Sequence, residues 1–245
     1  VDSFVLTDWM ASKLINLSWL QELDKGNIPN FDNLTGTLKA PEFDPNRDYS
    51  LPWQSGVTGI AYDASVTGEV TSITDLLTNP ELNGAITVLK EMRDTMGLIL
   101  LDQGANPADF TEDEWASAID ALAAANDSGQ IRQFTGNNYA QLLAQGTIAA
   151  CIAWSGDVIQ LQFDNDNIKF VIPEAGGMLW SDNMLVPINA QHKANAEAWM
   201  NYYYDPKVAA ELAAWVNYIC PVDGAQEELA KTDPHSADLF SRFVW

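Results

Sequence analysis

The chain has 245 residues, 47% of them hydrophobic and 19% charged, which describes a folded protein with one large core or two smaller ones. Asp and Glu number 34 against 12 Lys and Arg, a formal charge of −22, which argues against nucleic acid or an anionic membrane surface as partner. That balance suits attraction of cationic solutes, and it suits plain solubility equally well.

Residues 1–6 read as a strand already in progress rather than a basic-then-apolar leader, so the natural start of the chain is expected to be missing. Thr7 and Asp8 then read as a helix N-cap ahead of residues 9–14. A strand end meeting a helix start is where α/β proteins place ligands, which makes Thr7, Asp8 and Trp9 candidate pocket residues beside their capping role. Residues 20–24 form a short strand or turn, and residues 26–48, rich in Pro, Asn, Asp and Gly, predict a surface loop. An extended, core-crossing segment follows over 49–62, with bends at Pro52 and the glycines. A short capped helix at 74–77 stops before Pro80, and residues 84–89 form a buried strand. A helix over 91–101 places Glu91 and Asp94 three apart on neighbouring positions of one face. Carboxylates in a first turn also favour the helix dipole, so this pair reads either as helix-start charge or as a ligand group.

Thr111-Glu112-Asp113-Glu114 caps a long amphipathic helix to about residue 125. A short helix at 139–145, a buried strand at 147–154, and a helix beginning at 155–157 come next. Residues 168–172 form a strand, 173–177 a turn, and 183–186 an extended segment. Helices at 194–204 and 206–216 precede an extended exit at 218–221. Strands and helices alternate without repeats, which predicts an α/β chain of two lobes with crossover strands. The longest apolar run, residues 148–154, is far too short to span a bilayer.

Two segments combine a tryptophan with an aspartate two or three residues later: Ala153-Trp154-Ser155-Gly156-Asp157 and Trp180-Ser181-Asp182. An indole face attracts a cation through its quadrupole and a carboxylate through its charge, so two such pairs facing one cleft would form a pocket for an organic polycation. Core tryptophans beside helix-capping aspartates would leave the same pattern. Catalytic machinery is poorly represented. His192 and His235 both lie in polar surroundings, and no Gly-x-Ser-x-Gly elbow, P-loop or dinucleotide fingerprint occurs. No cofactor and no metal site is expected, since His and Cys have no usable ligand spacing. Paired carboxylates beside tryptophans are compatible with a carbohydrate-active hydrolase, which would need one carboxyl with a raised pKa. Cys151 and Cys220 are either a disulfide or two buried thiols.

Several stretches together resemble the spermidine/putrescine-binding proteins of bacterial ABC transporters, within the periplasmic-binding-protein group. They are Leu23-Asp24-Lys25 with Asn30-Phe31-Asp32-Asn33-Leu34, Phe43-Asp44-Pro45-Asn46 with Tyr49-Ser50-Leu51-Pro52-Trp53, and Ala153 to Val158. Pro173-Glu174-Ala175-Gly176-Gly177 with Trp180-Ser181-Asp182, and Asp205-Pro206-Lys207-Val208-Ala209, complete the set. The resemblance implies two α/β lobes joined by crossing strands, one over 1–62 and 182–226, the other over 63–181 and 227–245, with the ligand cleft between them. Carried over by position, it implies Thr7 and Trp9 as a hydroxyl and an aromatic at a first-lobe strand end. It implies Glu91 and Asp94 as an acidic pair of the second lobe, Trp154, Trp180 and Tyr218 as pocket aromatics, and Asp157 and Asp182 as ammonium-binding carboxylates. The implied protein is a non-enzymatic, monomeric polyamine carrier, periplasmic or lipid-anchored outside the cell, that delivers putrescine or spermidine to an ABC permease. Another cationic amine, such as a quaternary ammonium, is the alternative ligand within that class. Members of this family carry about a further quarter of chain ahead of the position of Val1.

Overall fold

A computed structural model describes residues 1–232 and has the mixed α/β character that the alternating signals imply. Residues 233–245, which include His235 and most of the expected 227–245 segment, lie outside the described residues. The described residues form two compact units, Val57–Leu179 and, on either side of it in sequence, Val1–Gly56 with residues 180–232.

In chain order the first unit opens with strand β1 (Phe4–Thr7) and helix α1 (Asp8–Asn16), followed by three short 3-10 turns at Lys25–Asn27, Pro29–Asn33 and Gly36–Leu38. Strand β2 (Ser50–Asp63) carries the chain into the second unit. There follow α2 (Ala64–Thr67), α3 (Ile73–Thr78), β3 (Ile86–Leu89), α4 (Met92–Asp102), α5 (Glu112–Asp127), β4 (Ile131–Thr135), α6 (Asn138–Ala144), β5 (Ala150–Trp154), α7 (Ser155–Asp164) and β6 (Ile168–Val171). Strand β7 (Met178–Leu185) returns the chain to the first unit, which ends in α8 (Lys193–Tyr203), α9 (Pro206–Val216) and α10 (Ala225–Thr232).

In the second unit β3 lies between β4 and β5 and runs parallel to both, while β2 pairs antiparallel with β5 and with β6. Ile60, Ile86, Val88, Leu98, Ile152 and Val158 are all buried in its core. Several helices start where the sequence supplies acceptors for free N–H groups: Ser72 caps α3, and Thr111 and Glu114 form a reciprocal capping box on α5. Each such cap contributes about 1 kcal/mol.

In the first unit β1 pairs antiparallel with β7, in a register that sets Thr7 opposite Asp182. Its main core gathers Ile28, Leu34, Leu51, Met184, Tyr204 and Ala209. Helix α10 packs on α9 and buries Leu229 in this same core, so residues 225–232 belong to the first unit.

The expected surface loop over 26–48 is better ordered than its composition suggests. The Asp44 carboxylate accepts from the backbone N–H groups of Asp48, Tyr49 and Ser50 and from the Ser50 hydroxyl. The buried Arg47 guanidinium donates to Leu38 O, Ser50 Oγ and Asn183 Oδ1. Burial lowers the Arg47 pKa to about 10, which leaves it cationic at neutral pH. Strand β4 escapes the sequence pattern because its burial runs buried, three exposed, buried, neither an apolar run nor an alternation. Strand β7 starts at Met178, ahead of the extended segment expected at 183, and its residues 182–185 pair with β1.

Candidate functional site

The first unit assembles its candidates around the end of β1. Thr7 occupies the N-cap position of α1 but makes no side-chain cap; its hydroxyl instead donates to Asp182 Oδ1 at 2.9 Å. The cap reading of Thr7 is thus corrected, and the cause is the cross-strand register, which offers a carboxylate acceptor directly opposite. Asp8 turns its own carboxylate onto the N–H of Trp9 at 2.7 Å, which places Trp9 in the first turn of α1. Burial raises the Asp182 pKa above the ordinary carboxylate value; the Thr7 hydrogen bond opposes that rise, and the negative charge of Asp8 adds to it.

Trp180 and Asp182 stand two apart on β7 and so share a face of the strand. Trp180 packs on Tyr218 with ring centroids 5.3 Å apart and planes tilted by 60°. Tyr218 is placed by two features. Asn217 ends α9 in the left-handed conformation, with φ 57°, and Ile219 exchanges backbone hydrogen bonds with Ser55 at 3.0 and 2.8 Å. Gly56 makes room for both rings, since a Cβ there would lie 2.5 Å from Trp180 and 3.0 Å from Tyr218.

The second unit builds its candidates at the carboxyl edge of three parallel strands. β3, β4 and β5 each run into a helix start, α4, α6 and α7 respectively, the edge at which open α/β sheets bind ligands. Glu91 is the N-cap of α4, its Oε2 accepting from the N–H of Asp94 at 2.7 Å. Asp94 is itself buried, and its Oδ2 accepts from the indole Nε1 of Trp154 at 2.7 Å. Asp157 lies in the first turn of α7 without capping it; its Oδ2 accepts from the hydroxyl of Tyr139 at 2.7 Å. That hydroxyl also accepts from the Trp154 backbone N–H at 3.0 Å, and the Tyr139 ring meets the Trp154 ring edge-on, at 5.8 Å and 66°.

The structure therefore brings Thr7, Trp9, Asp182, Trp180 and Tyr218 into one unit, and Glu91, Asp94, Trp154 and Asp157 into the other. Tyr139 is the residue that the sequence did not suggest; its signal was weak because Gly136-Asn137-Asn138 ahead of it reads only as a turn. Cys151 and Cys220 are both free thiols, Cys151 buried and Cys220 half-buried. Burial pushes the Cys151 thiol far up and the Cys220 thiol up to about 11. Among the described residues no group of three or more His, Cys, Asp or Glu is arranged to hold a metal ion, and no helix is long and apolar enough to cross a membrane.

Comparison with known proteins bears on this arrangement. The family model of bacterial extracellular solute-binding proteins matches residues 2–238. The spermidine/putrescine-binding periplasmic protein of Escherichia coli (strain K12) is 28% identical over 241 residues, covering 98% of this chain and 68% of the relative. The putrescine-binding periplasmic protein PotF of the same organism is 28% identical over 218 residues, covering 81% of this chain and 58% of its own. Among solved structures, a spermidine/putrescine ABC transporter protein from Listeria monocytogenes superposes with a TM-score of 0.86 at 28% identity, over 92% of this chain and 70% of that one. A Treponema pallidum lipoprotein shares the fold, with a TM-score of 0.84 at 21% identity over 95% of this chain and 73% of that one. The chain belongs to the bacterial extracellular solute-binding protein family.

Proposed function

We propose that this chain is the non-enzymatic binding component of an ABC importer for polyamines of the putrescine and spermidine class. On this reading it works outside the cytoplasm, as a monomer, and hands its ligand to a membrane permease. The observation that carries the reading is that each unit combines carboxylates with aromatic rings: Asp182 shares a face of β7 with Trp180, which packs on Tyr218, while Asp94 bonds the Trp154 indole and Asp157 bonds the Tyr139 hydroxyl.

A polyamine alternates ammonium groups with methylene runs, so its site must alternate charge and ring. Each cation–π contact contributes about 0.5–2 kcal/mol, the more so where water is excluded. An ammonium enclosed without a carboxylate would be strongly unfavourable, so the carboxylates set the number of charges accepted while the rings set length and dryness. We assign ligand binding to Asp182, Trp180, Tyr218, Thr7 and Trp9 of the first unit and to Asp94, Trp154 and Asp157 of the second. Glu91 contributes charge at the second-unit end while its cap holds the start of α4. The names of the E. coli and L. monocytogenes relatives support the choice of polyamines over other cationic amines.

One observation keeps a hydrolytic reading in the test: Asp182 has the raised carboxyl that a general acid requires. Calorimetry with putrescine, spermidine, a quaternary ammonium ion and a neutral oligosaccharide separates the readings. The polyamine reading predicts saturable, one-to-one uptake of putrescine or spermidine and none of the sugar. Saturable sugar binding with no amine response would overturn it.

A further inference from the structure

We infer that Tyr139 is a positioning residue for the ligand site, acting through Asp157 and Trp154 rather than by touching the ligand; this inference rests on the polyamine reading above. Tyr139 is fully buried at the start of α6, in the first turn after β4. Its hydroxyl is committed in both directions, donating to Asp157 Oδ2 at 2.7 Å and accepting from the Trp154 N–H at 3.0 Å. Its ring braces the Trp154 ring from the edge. At the far side of the same indole, Nε1 is bonded to Asp94 Oδ2. The result is one connected chain, Asp157–Tyr139–Trp154–Asp94, built from the ends of three adjacent parallel strands.

The physical consequence follows from how such chains are held. A carboxylate on a flexible side chain must be ordered on binding, which costs affinity; one already fixed by a short O–H···O⁻ bond does not carry that cost again. Trp154 is fixed twice over, its backbone N–H donating to the Tyr139 hydroxyl and its ring Nε1–H to Asp94 Oδ2. Tyr139 thereby fixes the orientation of the Asp157 carboxylate relative to the Trp154 face, and with it the spacing at which ammonium and methylene groups are met. Among the groups near Asp157 are the thiol of Cys151 on β5, whose ionisation Asp157 opposes, and the N-terminus of α7.

A double-mutant cycle tests this, because it isolates the part of an effect that passes through a partner. Putrescine affinity is measured by calorimetry for the wild type, Tyr139→Phe, Asp157→Asn and the double variant. Far-ultraviolet circular dichroism and melting temperature confirm folding of each. Tyr139→Phe keeps the ring and removes the hydroxyl. It is expected to weaken putrescine binding by about tenfold in the wild type and by less than twofold in the Asp157→Asn background. An equal loss in both backgrounds, or no loss in either, overturns the inference. Where Asp157→Asn binds too weakly to close the cycle, the near-ultraviolet dichroism of the ligand-free proteins decides. Tyr139→Phe must then alter the tryptophan bands, and Trp154→Phe must remove that difference; unaltered bands overturn the inference. A wild type that takes up no polyamine overturns the polyamine reading and this inference with it. A wild type that binds putrescine beside an unaffected Tyr139→Phe variant overturns the inference alone.

Discussion

Asp182 is held between opposing influences. Burial and the neighbouring charge of Asp8 favour its neutral form, while the Thr7 hydroxyl favours the carboxylate. Because its folded pKa lies above the unfolded one, its contribution to stability is present at low pH and is lost as the pH rises through the folded value. At neutral pH the ionised group therefore burdens the ligand-free protein, and an ammonium ion relieves that burden. Three outcomes follow. Asp182→Asn should raise the melting temperature of the ligand-free protein at neutral pH while weakening polyamine binding, read by calorimetric melting and titration; a lower melting temperature would contradict the burial argument. Wild-type affinity should also fall as the pH drops from about 7 toward about 4, with proton release on binding at the acid end, because carboxyls with raised values protonate first. Calorimetry in two buffers of different ionisation enthalpy measures that release, and a flat profile would contradict it. Thr7→Val removes the opposing hydrogen bond and should move the same profile toward higher pH.

At the scale of elements, the working parts stand where strands end and helices begin, and much of this was legible in the sequence. The strand ending at Trp154, the helix from Met92 and the turn into Asp157 were all readable from apolar runs bounded by polar starts. What could not be read was the direction of individual side chains. Thr7 and Glu91 look alike in sequence as polar groups at helix starts, yet Thr7 turns away to a cross-strand carboxylate while Glu91 caps its helix. Strand β4 and Tyr139 were missed for a related reason: β4 depends on pairing with β3, and Tyr139 on its bonds to Trp154 and Asp157, all partners that local pattern does not reveal. The Glu91 cap yields its own prediction. Glu91→Ala should lower stability by about 1 kcal/mol through loss of the cap, while Glu91→Gln, which keeps an acceptor oxygen, should cost less. Thermal unfolding of both variants checks this, and equal losses would contradict the cap. Gly56→Ala should displace the Trp180–Tyr218 pair and change the tryptophan fluorescence, because its new methyl would overlap Trp180.

At the scale of the whole molecule, the surplus of acidic residues and the division into two units with separate cores give the binding proposal its form. Net charge of this size steers cations from a distance without selecting among them, so selection must come from fixed carboxylates and rings. Placing such groups in both units makes affinity depend on each unit in turn. With Cys151 and Cys220 both free, a thiol titration of the denatured, unreduced protein should count two. The central claim is that carboxylates of both units bind the polyamine, and the most direct measurement is a putrescine titration of the wild type, Asp182→Asn and Asp94→Asn by calorimetry. The account predicts one ligand per chain and at least a tenfold loss, about 1.4 kcal/mol, from either substitution. Two independent sites per chain, or a loss confined to one variant while the other binds as the wild type does, would contradict it.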